Sequence, residues 1–311
     1  MGAVRVATRK PRTRKTSLRG QLAYHALLAP AVILMIIFSY IPMAGILMAF
    51  ESYRPMKGIF GSPFVGLDNF TRLFSANGIG QVMLNTVFIA SMKILIGLLA
   101  SVAFALLLNE LKSRKFVRIT QTMVYLPYFL SWVILSGILI EILSPSSGVV
   151  NEAIVSFGIK PVYFLGNPVL FPYVLVATDI WKTFGYGTIV YLAALTAIDP
   201  SLYEAARVDG ANYSQQLRHI TIPGITPIVI LMSVLALGNL LNAGFDQVFN
   251  LINPLVYKTG EILDLTVYNL GIKQASFALA TAVGLIKSAI SFVLIVTSYK
   301  LADRYAGYRI F

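Results

Sequence analysis

The chain has 311 residues, of which 57% are hydrophobic and 12% are charged, whereas soluble domains have about 45–50% apolar and about 25% charged residues. A soluble domain of this size needs more charged surface than 25 basic and 13 acidic residues supply. The composition excludes an ordinary soluble enzyme and indicates a polytopic membrane protein. The net charge of +12 does not indicate nucleic-acid binding, because seven cations and no acids lie within residues 1–20.

Six long apolar stretches follow one another along the chain. Each exceeds the ~20 residues that an α-helix needs to cross ~30 Å of hydrocarbon. None shows the alternating pattern of a membrane β-barrel strand. We therefore predict an all-α, polytopic integral membrane protein. Its six transmembrane helices are predicted at about 24–50, 82–108, 120–142, 169–193, 223–245 and 274–301.

Lysine and arginine are distributed unequally between the two sets of loops. The set that includes both termini carries sixteen of these residues, and the other set carries six. This bias predicts that both termini lie in the cytoplasm. The predicted organisation is a basic cytoplasmic segment (1–23), a transmembrane domain (24–301) and a cytoplasmic tail (302–311). The apolar segment after Arg19 is too long for a cleaved signal peptide, so we expect it to be retained.

Sequence patterns for catalysis are missing. There is no G-x-x-x-x-G-K-[ST] phosphate loop, so the chain is not expected to hydrolyse ATP alone. His25 and His219, the two histidines, do not suggest a metal pair, and cysteine ligands are absent. Ser101 and the other hydroxyls have no histidine partner in a hydrolase motif. We expect a non-catalytic subunit without a bound cofactor or metal ion.

The loop between the predicted fourth and fifth helices, residues 197–223, has the pattern of a helix, a break and a second helix. Asp199 is suited to cap the first helix, and Pro200 suits its first position. Gly210 is placed to end this helix in the left-handed conformation. A second short helix is predicted from about Tyr213 to His219.

An apolar face on the first of these short helices predicts a docking site for another protein. Leu202, Tyr203 and Ala206 supply apolar surface where a loop exposed to water is normally polar. Charged residues surround this face. They are Glu204, Arg207 and Asp209.

The same loop resembles the EAA signature of ABC importer permeases. The matching residues are Glu204-Ala205-Ala206, then Gly210 after three intervening residues, Ile220 after nine intervening residues, and Ile222-Pro223. Only Ile222 departs from that pattern, which usually has leucine there. The resemblance implies that the loop forms coupling helices that contact a cytoplasmic ATPase, with Glu204 as the acidic anchor and Gly210 as the bend. The implied coupling residues are Glu204, Ala205, Ala206, Arg207, Asp209, Gly210, Ile220 and Pro223.

Further segments, spread over nearly the whole chain, resemble the oligosaccharide and polysaccharide branch of these permeases. They are Asn109-Glu110, Tyr125-Leu126-Pro127, Asp179-Ile180-Trp181-Lys182, Gly244-Phe245-Asp246-Gln247 and the basic-aromatic tail. That branch includes importers of alginate, aldouronate and unsaturated rhamnogalacturonan oligosaccharides. The resemblance implies a MetI-like type I ABC importer permease fold and a multi-pass location in the bacterial cytoplasmic (inner) membrane. It also implies a second homologous permease, two ATPase subunits that bind ATP and Mg, and an extracytoplasmic binding protein or lipoprotein as partners.

Polar residues within the predicted fifth helix are candidates for the substrate path. Asn239, Asn242 and Asp246 recur at i, i+3 and i+7 and are predicted to share one helical face. Sugars are bound by amide and carboxylate groups together with aromatic surfaces. Three further candidates for this path are Gln247, Trp181 and Tyr186.

Charges at membrane depth cost at least about 2.5–3.5 kcal/mol, so each is a functional candidate. Lys93 lies within the predicted second helix and Lys287 within the sixth, and Asp179 and Lys182 are predicted to pair at i, i+3 in the fourth. Two interpretations stay open for these residues. They contribute to a substrate path, or they form buried pairs between helices.

We predict a permease subunit of an ATP-driven ABC importer that moves oligosaccharides, including acidic polysaccharide fragments, by alternating access. One alternative is a permease for another small solute, such as an amino acid or phosphate. The other is a secondary transporter that works without ATP. Such a transporter needs ion-coupling carboxylates and often has inverted repeats, neither of which is clear in the sequence.

Overall fold

The computed structural model describes residues 18–75 and 78–306. Their regular elements are helices, and one isolated antiparallel bridge joins Glu51 and Phe64. The predicted all-α fold is confirmed. Of the predicted terminal segments, residues 1–17 and 307–311 lie outside the described part of the chain.

Fifteen α-helices lie within the described residues. They are α1 (Leu18–Met35), α2 (Gly58–Gly61), α3 (Asp68–Ser75), α4 (Ile79–Glu110), α5 (Arg114–Tyr125), α6 (Trp132–Ile142), α7 (Val149–Ser156), α8 (Phe171–Thr196), α9 (Pro200–Val208), α10 (Tyr213–Gln216), α11 (Ile222–Gly238), α12 (Phe245–Leu251), α13 (Tyr257–Gly260), α14 (Leu263–Tyr268) and α15 (Phe277–Ala306). Short π-helical and 3-10 turns extend or connect several of them.

The chain divides into two structural units, one ending at Leu47 and the other beginning at Met48. In the first unit, α1 continues into a π-helical turn (Ile36–Tyr40) and then into a 3-10 helix (Ile41–Phe50), whose last three residues belong to the second unit. The segment Tyr24–Phe50 is long and apolar enough to cross a membrane. This agrees with the first predicted transmembrane helix.

In the second unit, three straight segments are long and apolar enough to cross a membrane. These segments are Ile79–Glu110, Tyr213–Gly238 and Phe277–Lys300. The fourth predicted helix corresponds to α8, whose 26 residues are long enough to cross the hydrocarbon. It is less apolar than the crossing helices because it contains Asp179, Lys182 and several glycine, threonine and tyrosine residues. By length and composition, the described residues thus provide four crossing helices, or five with a bent pair, against six predicted.

The prediction of one continuous helix over 120–142 is wrong. The chain bends by 104° between Arg114–Phe129 and Trp132–Ile142. Pro127 has no backbone N–H, so α5 gives way to a 3-10 turn around it. Ser131 then starts α6, because its side-chain oxygen accepts a hydrogen bond from the backbone N–H of Ile134 (3.3 Å).

The fifth predicted helix is displaced along the chain. α10, a π-helical turn (Leu217–Thr221) and α11 follow without interruption, so the segment predicted as a separate second short helix is the start of a 26-residue helix. This helix ends at Gly238, seven residues before the predicted end. The residues after it form turns, and Gly244 adopts a left-handed conformation (φ 91°) before α12 begins.

The helix end at Gly238 corrects the predicted polar stripe. Asn239 and Asn242 lie in the non-helical segment 239–244, and Asp246 lies in α12. The three residues therefore do not share one face of a continuous helix.

α4 and α8 pack closely because small residues lie where they cross. A methyl group added to Gly187 would lie 2.7 Å from the Ser101 hydroxyl oxygen. Ser101 donates a hydrogen bond to the Phe184 carbonyl (3.1 Å), and Thr188 donates one to the Ser101 carbonyl (3.2 Å). Small residues and hydroxyl hydrogen bonds are the usual means of association between membrane helices. α4 and α8 are therefore held closely together. The α5–α6 break and the non-helical segment 239–244 both contact this pair.

Candidate translocation groove and coupling loop

Lys182 stabilises the break between α5 and α6. Its ammonium group donates hydrogen bonds to the carbonyl oxygens of Pro127 (3.2 Å), Tyr128 (2.8 Å) and Leu130 (2.6 Å). These carbonyls lie where the regular helical hydrogen bonds stop, and a cation is favourable at the C-terminal end of a helix. The lysine thus supplies donors to backbone groups that neither water nor lipid would satisfy.

Lys93, on α4, stabilises the non-helical segment 239–244. Its ammonium group donates to the Ala243 carbonyl (2.7 Å) and to Gln247 Oε1, and it lies 3.4 Å from Asp179 Oδ1. The predicted pairing of Asp179 with Lys182 is therefore wrong. Asp179 pairs with Lys93 across the α4–α8 contact, because Lys182 points to the α5–α6 break.

Lys287, on α15, holds the same non-helical segment from another helix. Its ammonium group donates to Asn242 Oδ1 (2.7 Å) and forms an ion pair with Asp264 Oδ1 (2.5 Å) on α14. Lys93, Lys182 and Lys287 thus all lie within regular helices and contact residues at breaks in other helices. Of the two interpretations left open by the sequence, pairing between helices describes their contacts.

Two adjoining recesses form a groove along α4 and α8, called the groove below. The first has a volume of about 250 Å³ and is lined by Ala90, Lys93, Ile94, Asp179, Ala236, Asn239, Asn242, Ala243 and Gly244. The second has a volume of about 370 Å³ and is lined by Lys93, Ile94, Gly97, Leu98, Ser101, Tyr128, Thr183, Tyr186, Gly187, Tyr191, Met232 and Ala236. Lys93, Ile94 and Ala236 belong to both recesses, which makes the groove continuous.

A stacked pair of tyrosine rings lines the second recess. The rings of Tyr128 and Tyr186 are parallel to within 4°, with centroids 4.0 Å apart. Tyr186 was predicted as a path residue, whereas Tyr128 was missed because the sequence does not show that the α5–α6 break turns it toward α8. Its only signal was its place next to Pro127. The pair presents a partly exposed aromatic surface to the groove.

The structure brings only some of the predicted path residues together. Asn239 and Asn242 are exposed in the first recess, and the Asn242 amide donates to Asn239 Oδ1 (3.2 Å). Gln247 is fully buried, with its amide nitrogen bonded to the Leu175 carbonyl and the Thr178 hydroxyl (both 2.8 Å).

Trp181 and Asp246 line neither recess. Trp181 follows Asp179 by two residues, which places it about 200° around α8 from the groove. Asp246 is exposed on α12. Among the described residues no three histidine or carboxylate side chains are grouped as metal ligands would be.

The coupling loop predicted from the sequence begins with a well-capped helix. Asp199 Oδ1 accepts the Ser201 backbone N–H (2.9 Å), and this hydrogen bond lowers the pKa of the Asp199 carboxyl below its ordinary value. Gly210 ends α9 in the left-handed conformation (φ 79°), with backbone hydrogen bonds from Ala211 to Ala206 (2.8 Å) and from Gly210 to Arg207 (3.1 Å). These two bonds define a Schellman motif. The predicted cap residues are both confirmed.

The exposed apolar face of α9 differs from the predicted one. Tyr203 is half-buried, and its hydroxyl lies 2.9 Å from the Thr221 hydroxyl, which ties α9 to the long helix that contains α11. Ala206 is also partly covered. The apolar side chains that protrude are Leu202 and Val208, and Val208 is 88% exposed. The sequence prediction missed Val208 because the sequence does not show which face of α9 packs against the rest of the protein.

Charged and small residues surround this exposed apolar surface. Glu204, Ala205, Arg207 and Asp209 are all exposed on α9 or at its end. Ile220 is partly covered within the long helix, where Pro223 lies in the first turn of α11. α9 is therefore an exposed, internally stabilised helix with a defined link to a membrane helix.

The long apolar helices, the broken helices around a groove and the exposed capped loop define a membrane permease. Residues 93–306 match the family model described as binding-protein-dependent transport system inner membrane component. The chain belongs to this family, which makes it a multi-pass inner-membrane permease subunit of an ABC importer. It is a transport subunit rather than an enzyme. The family and the type of subunit inferred from the EAA resemblance are confirmed.

One relative and two crystal structures show which permeases the chain is similar to. The chain is 38% identical to the polygalacturonan/rhamnogalacturonan transport system permease protein YteP of Bacillus subtilis (strain 168), over 90% of this chain and 88% of that protein. It is also similar to a chain in the crystal structure of a bacterial ABC transporter involved in import of the acidic polysaccharide alginate. That match has 36% identity and a TM-score of 0.86, and covers 92% of this chain and 96% of that one. The alginate transporter in complex with its pentasaccharide-bound periplasmic protein matches with 36% identity and a TM-score of 0.85, over 92% and 95% of the two chains.

Proposed function

We propose that this permease carries oligosaccharides of an acidic polysaccharide through the groove. The observation that supports this most directly is the combination of side chains in the groove. Two exposed amides, Asn239 and Asn242, lie in one recess, and the Tyr128–Tyr186 stack lies in the adjoining one. Amides hydrogen-bond sugar hydroxyls, and aromatic rings pack against sugar faces.

Support for an acidic sugar comes from the relatives and not from the lysines. YteP and the alginate transporter are described as carrying polygalacturonan or rhamnogalacturonan and alginate, respectively. Lys93 and Lys287 already contact carboxylates and polar groups of this chain, and Lys182 contacts three backbone carbonyls. Their charges are thus largely engaged in holding the helix breaks.

The proposed energy source is a pair of ATPase subunits that bind ATP and Mg and dock on α9. Leu202 and Val208 would fill an apolar cleft of the ATPase, and Glu204, Arg207 and Asp209 would form polar contacts around it. The Tyr203–Thr221 contact offers a direct route from α9 to the long helix that ends at the groove. Closure of the ATPases would then switch the groove from outward to inward opening.

In the proposed assembly, this chain is one of two homologous permeases that receive sugar from an extracytoplasmic binding protein or lipoprotein. The transmembrane domain spans 24–301, the coupling loop spans 197–223, and both termini lie in the cytoplasm. The sixteen-to-six bias of lysine and arginine between the two sets of loops supports this orientation.

The decisive experiment is uptake by the assembled transporter in proteoliposomes. The permease pair, the ATPases and the sugar-loaded binding protein are reconstituted, and uptake of a labelled oligogalacturonide is compared with that of a neutral oligosaccharide and of phosphate. We expect ATP-dependent uptake of the acidic oligosaccharide, together with ATP hydrolysis that rises when the loaded binding protein is added.

Two outcomes would favour the alternatives. Uptake of phosphate or an amino acid in place of the sugars would identify a permease for another small solute. Solute movement by this chain alone, driven by a sodium or proton gradient without ATP, would identify a secondary transporter.

A further inference from the structure

A short hairpin precedes α3, and its two arms are joined by backbone pairing. Glu51 and Phe64 form the antiparallel bridge, and the Ser52 N–H donates to the Pro63 carbonyl (2.9 Å). Closer to the tip, the Arg54 N–H donates to the Ser62 hydroxyl oxygen (3.0 Å). Residues 51–64, called the hairpin below, therefore form a closed loop with a defined tip.

The hairpin tip exposes large apolar side chains. Met56 is fully exposed (101%), Phe60 is 90% exposed, and Phe64 at the base is 74% exposed. Large apolar side chains are normally buried, so three of them exposed on one short loop mark a contact surface.

The base of the hairpin lies at the end of a membrane helix. The ring of Tyr53 packs edge-on against the ring of Phe277, with centroids 6.0 Å apart. Phe277 is the first residue of the crossing segment Phe277–Lys300. Aromatic residues at such ends mark the membrane–water interface. Met56 is three residues from Tyr53, so an extended chain of about 11 Å at most separates the tip from that level.

The charge of the hairpin is entirely basic on its exposed surface. Arg54 and Lys57 are exposed, and residues 52–67 contain no acidic residue. The next acid, Asp68, is paired with Arg72 (2.7 Å). Exposed apolar side chains next to cations match the composition of segments that lie in the headgroup region of a membrane, where the cations contact lipid phosphates.

We propose that the hairpin is a membrane-interface anchor. Met56 and Phe60 insert between lipid headgroups, and Arg54 and Lys57 bind anionic phosphates. A lipid surface fits better than a protein partner because the base of the hairpin sits at the interface level and its apolar tip is flanked by like charges. The anchor holds α3, whose Leu73 is buried in the same core as Val283 of α15, at a fixed depth in the membrane.

The chain has no cysteine, which allows the proposal to be tested by a single spin label. Phe60→Cys and Met56→Cys are labelled with a nitroxide, and Ser146→Cys, in a different exposed polar loop, is the control. The assembled transporter is reconstituted in vesicles of phosphatidylcholine with phosphatidylglycerol. The collision of each label with oxygen, which partitions into lipid, is compared with its collision with a water-soluble nickel complex.

We expect an oxygen-to-nickel ratio several-fold higher at both hairpin labels than at the control. Replacing Arg54 and Lys57 by glutamate should lower this ratio, and so should vesicles of phosphatidylcholine alone. Wild-type ATPase activity of each labelled transporter shows that it is folded. Labels at both tip positions that are as accessible to nickel as the control would overturn the proposal. So would labels shielded only after the binding protein is added, which would identify a protein-docking surface.

Discussion

Two intramembrane lysines, Lys182 and Lys93, explain how this chain tolerates interrupted helices in lipid. A helix break leaves carbonyl oxygens without donors, and lipid cannot supply them. Lys182 donates to three such carbonyls, and Lys93 donates to the Ala243 carbonyl. Because a lysine has three donors on a long flexible stem, one residue can satisfy several backbone groups.

Lys182→Met should destabilise the protein because it leaves the carbonyls of the α5–α6 break unpaired. A buried group without a partner costs about 1–3 kcal/mol, so we expect a clear fall in melting temperature in detergent. Lys112→Met, at an exposed position, is the matched control and should melt like the wild type. Equal melting temperatures for both variants would show that Lys182 does not support the break.

The Lys287–Asp264 pair allows a charge-exchange test. Lys287→Asp alone places two carboxylates together at a partly exposed site, and the loss of a hydrogen bond between charged groups costs about 1.5–3 kcal/mol. The double variant Lys287→Asp with Asp264→Lys restores the opposite charges and should recover most of the lost stability. Thermal unfolding of the wild type, Lys287→Asp, Asp264→Lys and the double variant gives the coupling energy between the two positions. Additive losses would mean that the two charges do not interact.

At the scale of elements, both ends of α9 are closed by hydrogen bonds from within this chain. Its N-terminus is capped by Asp199, and its C-terminus ends in the Schellman motif at Gly210. A docking element needs this rigidity, since ordering a flexible loop at the moment of binding weakens association. The Tyr203 hydroxyl contacts the Thr221 hydroxyl, which connects α9 to the long helix that ends at the groove.

Glu204→Lys should uncouple ATP hydrolysis from transport. The variant reverses a charge on the proposed docking face. Because the Glu204 side chain is exposed, the permease should still fold and reach the membrane in normal amount. Uptake and ATPase activity of the reconstituted transporter are measured together. The control is Glu152→Lys, the same reversal at an exposed position of α7. Wild-type uptake by Glu204→Lys would refute the coupling role.

At the scale of the molecule, both helix breaks border the groove. Tyr128 comes from the α5–α6 break, and Asn239 and Asn242 come from the segment after α11. Non-helical backbone at membrane depth is tolerated where it lines a cavity, and in transporters such segments form binding sites. In this fold, two of the irregular backbone segments therefore line the groove that we propose as the substrate path.

Tyr186→Ala should slow sugar uptake without abolishing basal ATP hydrolysis. Loss of the stacked aromatic surface removes about 0.5–1.5 kcal/mol of packing energy. If the sugar packs on this surface, the uptake rate should fall by about 2–10-fold. Tyr173→Ala is the matched control, because Tyr173 packs on Phe88 outside the groove. Labelled-sugar uptake and ATPase assays on both variants test this. Similar uptake by both variants would exclude Tyr186 from the path.

Composition and periodicity were sufficient for the local features of this protein. Membrane helices are recognisable from apolar content over ~20 residues, because lipid contacts each helix directly. The caps at Asp199 and Gly210 were predictable because they depend on neighbouring residues only. The type of subunit followed from the EAA pattern, a short motif with fixed spacing, and family membership confirmed it.

Tertiary structure alone decided where helices break and what each intramembrane charge contacts. Lys182 is three residues from Asp179, yet its donors reach carbonyls more than fifty positions earlier in the chain. The stacking of Tyr128 on Tyr186 and the burial of Gln247 likewise depend on how α5, α8 and α12 pack. The periodicity of the sequence shows which residues share a face of one helix, but not which other helix that face contacts. The partners of a polar group in lipid come from other helices, so only the packed molecule shows them.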